Sequence, residues 1–146
     1  MNANLDSNRY LLDTNVLSEA MKQTCDPNVL AFLRSLDFTR TFISSVSVTE
    51  LLYGIERMPS GRRRRQLETS LEKILNMFGD RILPFDLASS LHCAAMLATR
   101  EQSGRPTGFA NAQIAATAKT NACMVATRNT KDFEGMSISI VDPWHR

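Results

Sequence analysis

Apolar and polar positions follow two periods along this chain. Short apolar runs bounded by polar or turn residues read as buried strands: YLLD (10–13), RTFISS (40–45), RILPF (81–85, stopped by Pro84), ACMVATR (122–128) and SISIVD (137–142). Longer stretches with apolar residues three and four apart read as helices at 15–22, 27–36, 48–57, 60–78, 86–104 and 108–121. In 60–78, Leu67, Leu71, Ile74, Leu75 and Phe78 share one face. Cap signals sharpen several boundaries. Asp26 precedes Pro27 at a first helical position, Asp86 stands where an N-cap belongs, and Gly104 lies just past a helix end. Strands separated by helices predict right-handed crossovers and an α/β fold whose parallel sheet is covered on both faces. Residues 1–8 are expected to form a loose tail and 9–146 a single domain.

Composition removes alternatives more than it adds to this picture. With 146 residues, 43% hydrophobic and 22% charged, the chain suits one domain with a real core. A net charge of +2 does not announce a nucleic-acid binder. The three cysteines, Cys25, Cys93 and Cys123, lack CxxC spacing, which argues against a disulfide framework or a zinc site. Cys93 and Cys123 sit among apolar neighbours and are expected as small core residues. The polar start MNANLDSNRY has no signal-peptide core. No apolar run nears the roughly 18 residues of a membrane span. The expected setting is the cytoplasm, with no membrane partner.

The candidate chemistry lies at strand ends. In a parallel sheet, side chains at the C-terminal ends of the strands share one crevice. Asp13 ends the first strand, and Glu50 follows the second in the first turn of its helix. Asn129 and Asp132 follow the fourth strand, and Asn111 lies near the start of the helix before it. Clustered carboxylates repel and lose hydration unless protons or a cation neutralise them. Every candidate donor is an oxygen, which suits Mg2+ or Mn2+ rather than zinc.

Each of these residues also has a purely structural role open to it. Asp13 can cap the helix that follows, and Ser47-Val48-Thr49-Glu50 has the form of an S-x-x-E capping box. Asn111 can be a helix-terminus residue, and Asp132 can cap the turn after the fourth strand. Their joint placement favours chemistry. Other catalytic patterns are missing: there is no GxSxG elbow, HxxxH pair or glycine-rich phosphate loop, and Cys25 has no evident base. His92 falls in a helical run, where packing or exposure accounts for it.

Five blocks, LLDTNVLSE, SSVSVTELLYGIE, ANAQIAATAKT, VATRNTKDFEG and the terminal VDPWH, together resemble a PIN-domain protein, nearest to the VapC- or FitB-like toxins of bacterial toxin–antitoxin modules. The resemblance runs from about Tyr10 to His145. It implies a three-layer α/β/α fold around a five-stranded, mostly parallel sheet. It also implies a metal-dependent endoribonuclease that hydrolyses RNA and is held inactive by a cognate antitoxin. A homodimer is implied too, with a higher hetero-oligomer formed with antitoxin and operator DNA contacted only through the antitoxin. On the motifs, the family's first acid maps to Asp13, the second to Glu50, the third to Asn111, and the fourth polar position to Asn129, with Asp132 three residues on. Thr14 and Asn15 match supporting polar residues beside the first acid.

Asn111 departs from the family pattern, in which the third position is usually aspartate. An amide oxygen still offers a donor, but the site loses a negative charge. Three readings stand: a weaker natural enzyme, an inactive homologue that binds RNA or antitoxin without cutting, or an introduced substitution. The run Arg62–Arg65, the only charge block, likewise has two readings, a solvated helix start or phosphate contact along an RNA path.

Overall fold

The computed structural model describes residues 8–145; of the expected tail, residues 1–7 lie outside them. Five short strands, β1 (Tyr10–Leu12), β2 (Thr41–Ser44), β3 (Ile82–Leu83), β4 (Met124–Ala126) and β5 (Ile140–Val141), form one sheet in the order β3-β2-β1-β4-β5. Every pairing is parallel. β1 is central: Leu12 stands opposite Ile43 on one side and Ala126 on the other.

Six helices cover the sheet: α1 (Thr14–Ala20), α2 (Pro27–Ser35), α3 (Ser45–Glu56), α4 (Arg62–Phe78), α5 (Leu87–Gln102) and α6 (Phe109–Thr120). Successive strand side chains point to opposite faces, and the two cores follow from that alternation. Leu11, Phe42 and Val125 join Cys93, Met96 and the alanines of α6 on one face. Leu12, Ile43 and Ala126 join Val16, Leu17, Val29, Phe32 and Phe78 on the other. These are the three layers of the expected α/β/α fold. The small side chains Ala112, Ala115, Ala116 and Ala118 are fully buried and let α6 lie close to the sheet. Trp144 closes the second core, and its carbonyl accepts from Asn28 Nδ2 at 2.9 Å.

Local signals place most helix ends. The Asp26 carboxylate accepts from the N–H groups of Asn28 and Val29, ahead of Pro27 at the first helical position. Asp86 accepts from the Ser89 N–H at 2.9 Å. Gly104 adopts φ 74°, a left-handed conformation that costs glycine nothing, and the chain doubles back through Arg105 N–H to the Arg100 carbonyl at 2.9 Å.

Strand lengths differ from the sequence expectation. The runs at 122–128 and 137–142 shrink to three and two paired residues, because ladder bonds exist only where a neighbour runs alongside. Cys93 and Cys123 are buried and free, as expected, and Cys25 is free and partly buried. Burial pushes all three thiols above their ordinary range. No described helix is long and apolar enough to cross a membrane.

Candidate active site

Asp13 follows the central strand and caps α1, so its structural and chemical roles coexist. Its Oδ1 accepts the Thr14 N–H at 2.8 Å. Its Oδ2 accepts from Thr127 Oγ1 at 2.7 Å and from Asn15 Nδ2 at 3.3 Å. Thr127 follows β4, the neighbour of β1, and is fully buried. A threonine hydroxyl has one proton and two lone pairs. The Thr127 proton goes to Asp13, and its lone pairs receive the Asn129 N–H (3.0 Å) and Asn15 Nδ2 (3.3 Å). Asn15 is oriented in turn by the Arg128 N–H, which donates to its Oδ1 at 3.2 Å.

This cradle holds a carboxylate that is only 3% exposed. Burial raises the Asp13 carboxyl above its ordinary range. Hydrogen bonds from Thr127 and Thr14 pull it back, while the charges of Glu50 and Asp132 push it further up. Both acids therefore lie within electrostatic reach of Asp13.

Glu50 requires a correction to the capping-box reading. Helix α3 begins at Ser45, and its N-cap is Ser44, whose side chain accepts the Val46 N–H at 3.0 Å. Ser44 ends β2 in an extended conformation (φ −96°, ψ 145°), ahead of the position that the S-x-x-E pattern requires. Ser47 is thus inside the helix and fully buried, and Glu50 caps nothing. Instead Thr14 Oγ1 contacts Glu50 Oε1 at 2.6 Å and Ser47 Oγ at 2.8 Å. An ionised carboxylate only accepts. Thr14 therefore donates to Glu50, and Ser47 donates to Thr14.

The remaining candidates arrive from the other side of β1. Asn129 and Asp132 bracket a single 3-10 turn (Thr130–Asp132), in which the Asn129 side chain makes no cap. Asn111 sits half-buried in the first turn of α6. Thr107 Oγ1, just before that helix, donates to the Asp132 carbonyl at 3.0 Å and ties the entry of α6 to the turn. The buried guanidinium of Arg100 reinforces the junction: it donates to the carbonyls of Arg105, Lys131 and Glu134. Asp13 and Glu50 are thus joined directly through Thr14, Asp132 lies within reach of Asp13's charge, and Asn111 is linked to Asp132 through its segment.

Two members of this network are not evident from the sequence, Thr127 and Ser47 in its actual role. The available signal is weak: a hydroxyl right after a buried strand, and a serine one turn before an acid. The donor set, all hard oxygens around a desolvated carboxylate, has the chemistry that suits a hard divalent cation. Its acid count falls short, because among the described residues no three His, Cys, Asp or Glu side chains converge closely enough to hold an ion.

A family model described as PIN domain matches residues 10–137. The chain belongs to the PIN-domain family. This PIN domain is 40% identical over 135 residues to "VapC ribonuclease Y4jK" of Sinorhizobium fredii, an alignment covering 92% of this chain and 96% of that protein. It is 36% identical over 136 residues to "Toxin FitB" of Neisseria gonorrhoeae, covering 92% and 98% respectively. Among solved structures, the crystal structure of FitAcB from Neisseria gonorrhoeae superposes with a TM-score of 0.88 at 36% identity, covering 94% of this chain and 99% of that one.

Proposed function

We propose that this PIN domain, spanning residues 9–146, is the ribonuclease toxin of a bacterial toxin–antitoxin module, acting in the cytoplasm on RNA phosphodiester bonds. The observation that carries the reading is the Asp13–Thr14–Glu50 linkage at the C-terminal end of the sheet. The names of the relatives, a VapC ribonuclease and a toxin, point the same way. Asp13, Glu50, Asn111 and Asp132 would hold Mg2+ or Mn2+, with Asn129 beside them. When bound, such an ion lowers the pKa of a coordinated water and offsets charge on phosphoryl oxygens. The chain's own residues do the positioning. Thr127, Asn15 and the Thr14 N–H fix Asp13 in one rotamer, and Thr14 holds Glu50 through one of its two carboxylate oxygens. Partners of this reading are a cognate antitoxin, RNA, operator DNA through the antitoxin, and a second copy of the chain.

With an amide at position 111, the cation site is weaker than one with a third acid. A binding-only PIN domain is the second reading, favoured by the lack of three converging acids among the described residues. Cleavage of a labelled RNA panel in Mg2+, Mn2+ or EDTA separates the two. Metal-dependent cleavage by this chain supports the enzyme. RNA or antitoxin binding with no cleavage, unchanged in Asn111→Asp, supports the binding module.

A further inference from the structure

The four arginines that open α4 divide into one that is structural and three that are not. Arg64 is half-buried: it pairs with Glu56 at 2.6 Å and Glu68 at 3.5 Å and donates to the Met58 carbonyl at 3.0 Å. It staples the start of α4 to the end of α3. Arg62, Arg63 and Arg65 are exposed and form no ion pair among the described residues. Helix stability does not explain them. Cations in a first helical turn oppose the helix dipole, this turn contains no acid, and its cap, Gly61, offers no side-chain hydrogen bond.

What these three share is a place. They line a groove of about 960 Å3 between α1, α3 and α4, and the same groove is lined by Thr14 and Glu50. The acidic end and the arginine end are thus one continuous surface feature. We propose that this groove holds the sugar–phosphate backbone of single-stranded RNA flanking the scissile bond, with Arg62, Arg63 and Arg65 contacting successive phosphates. This rests on the ribonuclease reading above. The polyanion supplies the negative charge that would pair the three guanidinium groups, and its path leads to the acids. Backbone phosphates are the same at every nucleotide, so these arginine contacts position the strand without reading its bases.

The test measures binding of a labelled single-stranded RNA of mixed sequence in EDTA, across a salt series, for the parent chain, the triple variant Arg62→Ala/Arg63→Ala/Arg65→Ala, and Arg64→Ala. Removing one arginine–phosphate ion pair should flatten the slope of log K against log salt by roughly 0.7, so the triple variant should lose about 2 units of slope. All three residues are exposed and oppose the helix dipole, so its melting temperature should be no lower than the parent's. Arg64→Ala should melt earlier and keep the parent slope. A parent that binds RNA with a triple variant of unchanged slope overturns the groove assignment and leaves the ribonuclease reading standing. A parent with no salt-dependent RNA binding also overturns the groove assignment, and the ribonuclease reading is then judged by the cleavage assay in Mg2+ or Mn2+. Polyglutamate binding that is abolished in the triple variant, with the RNA slope unchanged, would assign the groove to an acidic protein segment and also overturn the proposal.

Discussion

The Thr14 hydroxyl donates to Glu50 Oε1 at 2.6 Å across 36 residues of sequence, while the N–H of the same residue donates to Asp13 Oδ1 at 2.8 Å. One residue therefore sets the distance between two acids. Replacing it by valine keeps the volume and removes the hydroxyl, leaving Glu50 and Ser47 without this partner. On an actively cleaving background, Thr14→Val should lower cleavage by about 10–100-fold, the usual cost of removing a residue that orients a ligand. Thr14→Ser should restore most of it. Equal impairment in both variants would show that the hydroxyl is not what matters.

Asp13 is held where its charge is costly. Its folded pKa lies above the ordinary 3.8, chiefly through burial. The sign follows from linkage: such a group's contribution to stability is complete below 3.8 and is lost as pH rises through the raised folded value. Once ionised, the buried carboxylate therefore destabilises the fold. Asp13→Asn removes the charge at nearly constant size. In EDTA it should melt higher than the parent at pH 7, and the advantage should disappear in acid below about pH 3.8. It should also abolish cleavage. A lower melting temperature at pH 7 would mean that the missing hydrogen bonds outweigh desolvation.

Asn111→Asp adds the charge that the site lacks. Isothermal titration should show Mn2+ or Mg2+ affinity rising by at least about 10–100-fold, the range set by residues that only orient a metal's ligands. RNA cleavage should rise with it. Asp13→Ala on that background should remove both again. If Asn111→Asp neither binds nor cuts better than this chain, position 111 does not contribute to the ion site.

Arg100 is a cation enclosed by carbonyl oxygens rather than by carboxylates. Arg100→Met would fill much of the space and leave three carbonyls short of a donor. A hydrogen bond from a charged donor contributes roughly 1.5–3 kcal/mol. Urea denaturation should therefore show a destabilisation of about 3 kcal/mol or more, with the turn that includes Asp132 gaining the most in hydrogen exchange.

Leu87 and Leu91 lie one turn apart on α5, with 79% and 69% of their surface exposed. Two such leucines on one helical face suit packing against a second copy. Light scattering at high micromolar concentration should report a dimer for the parent and a monomer for Leu87→Glu/Leu91→Glu. A monomeric parent would remove the dimer.

Much of the architecture was legible because it is local. Asp26 before Pro27, Asp86 before its helix and Gly104 after it act within a few residues, and their effect survives whatever packs around them. The apolar periods carried the element order, and the helix pairs between the first four strands left little besides a covered parallel sheet. The five candidates for the site were equally readable in position, since each follows a strand or opens a helix beside one.

Partnership was the part that needed the tertiary structure. Read along the chain, Ser47 and Glu50 form a capping box; in space, Ser44 takes the cap and Thr14 takes Glu50. Thr127 is 114 residues from Asp13, and only the pairing of β1 with β4 makes it the hydroxyl that holds the buried carboxylate. The arginine run looks uniform in sequence. Once α3 packs against α4, Glu56 captures Arg64 and the other three face the groove. The physical reason is range: helix periods and caps are decided within a turn or two, whereas a hydrogen bond between distant residues exists only after the sheet has set their separation.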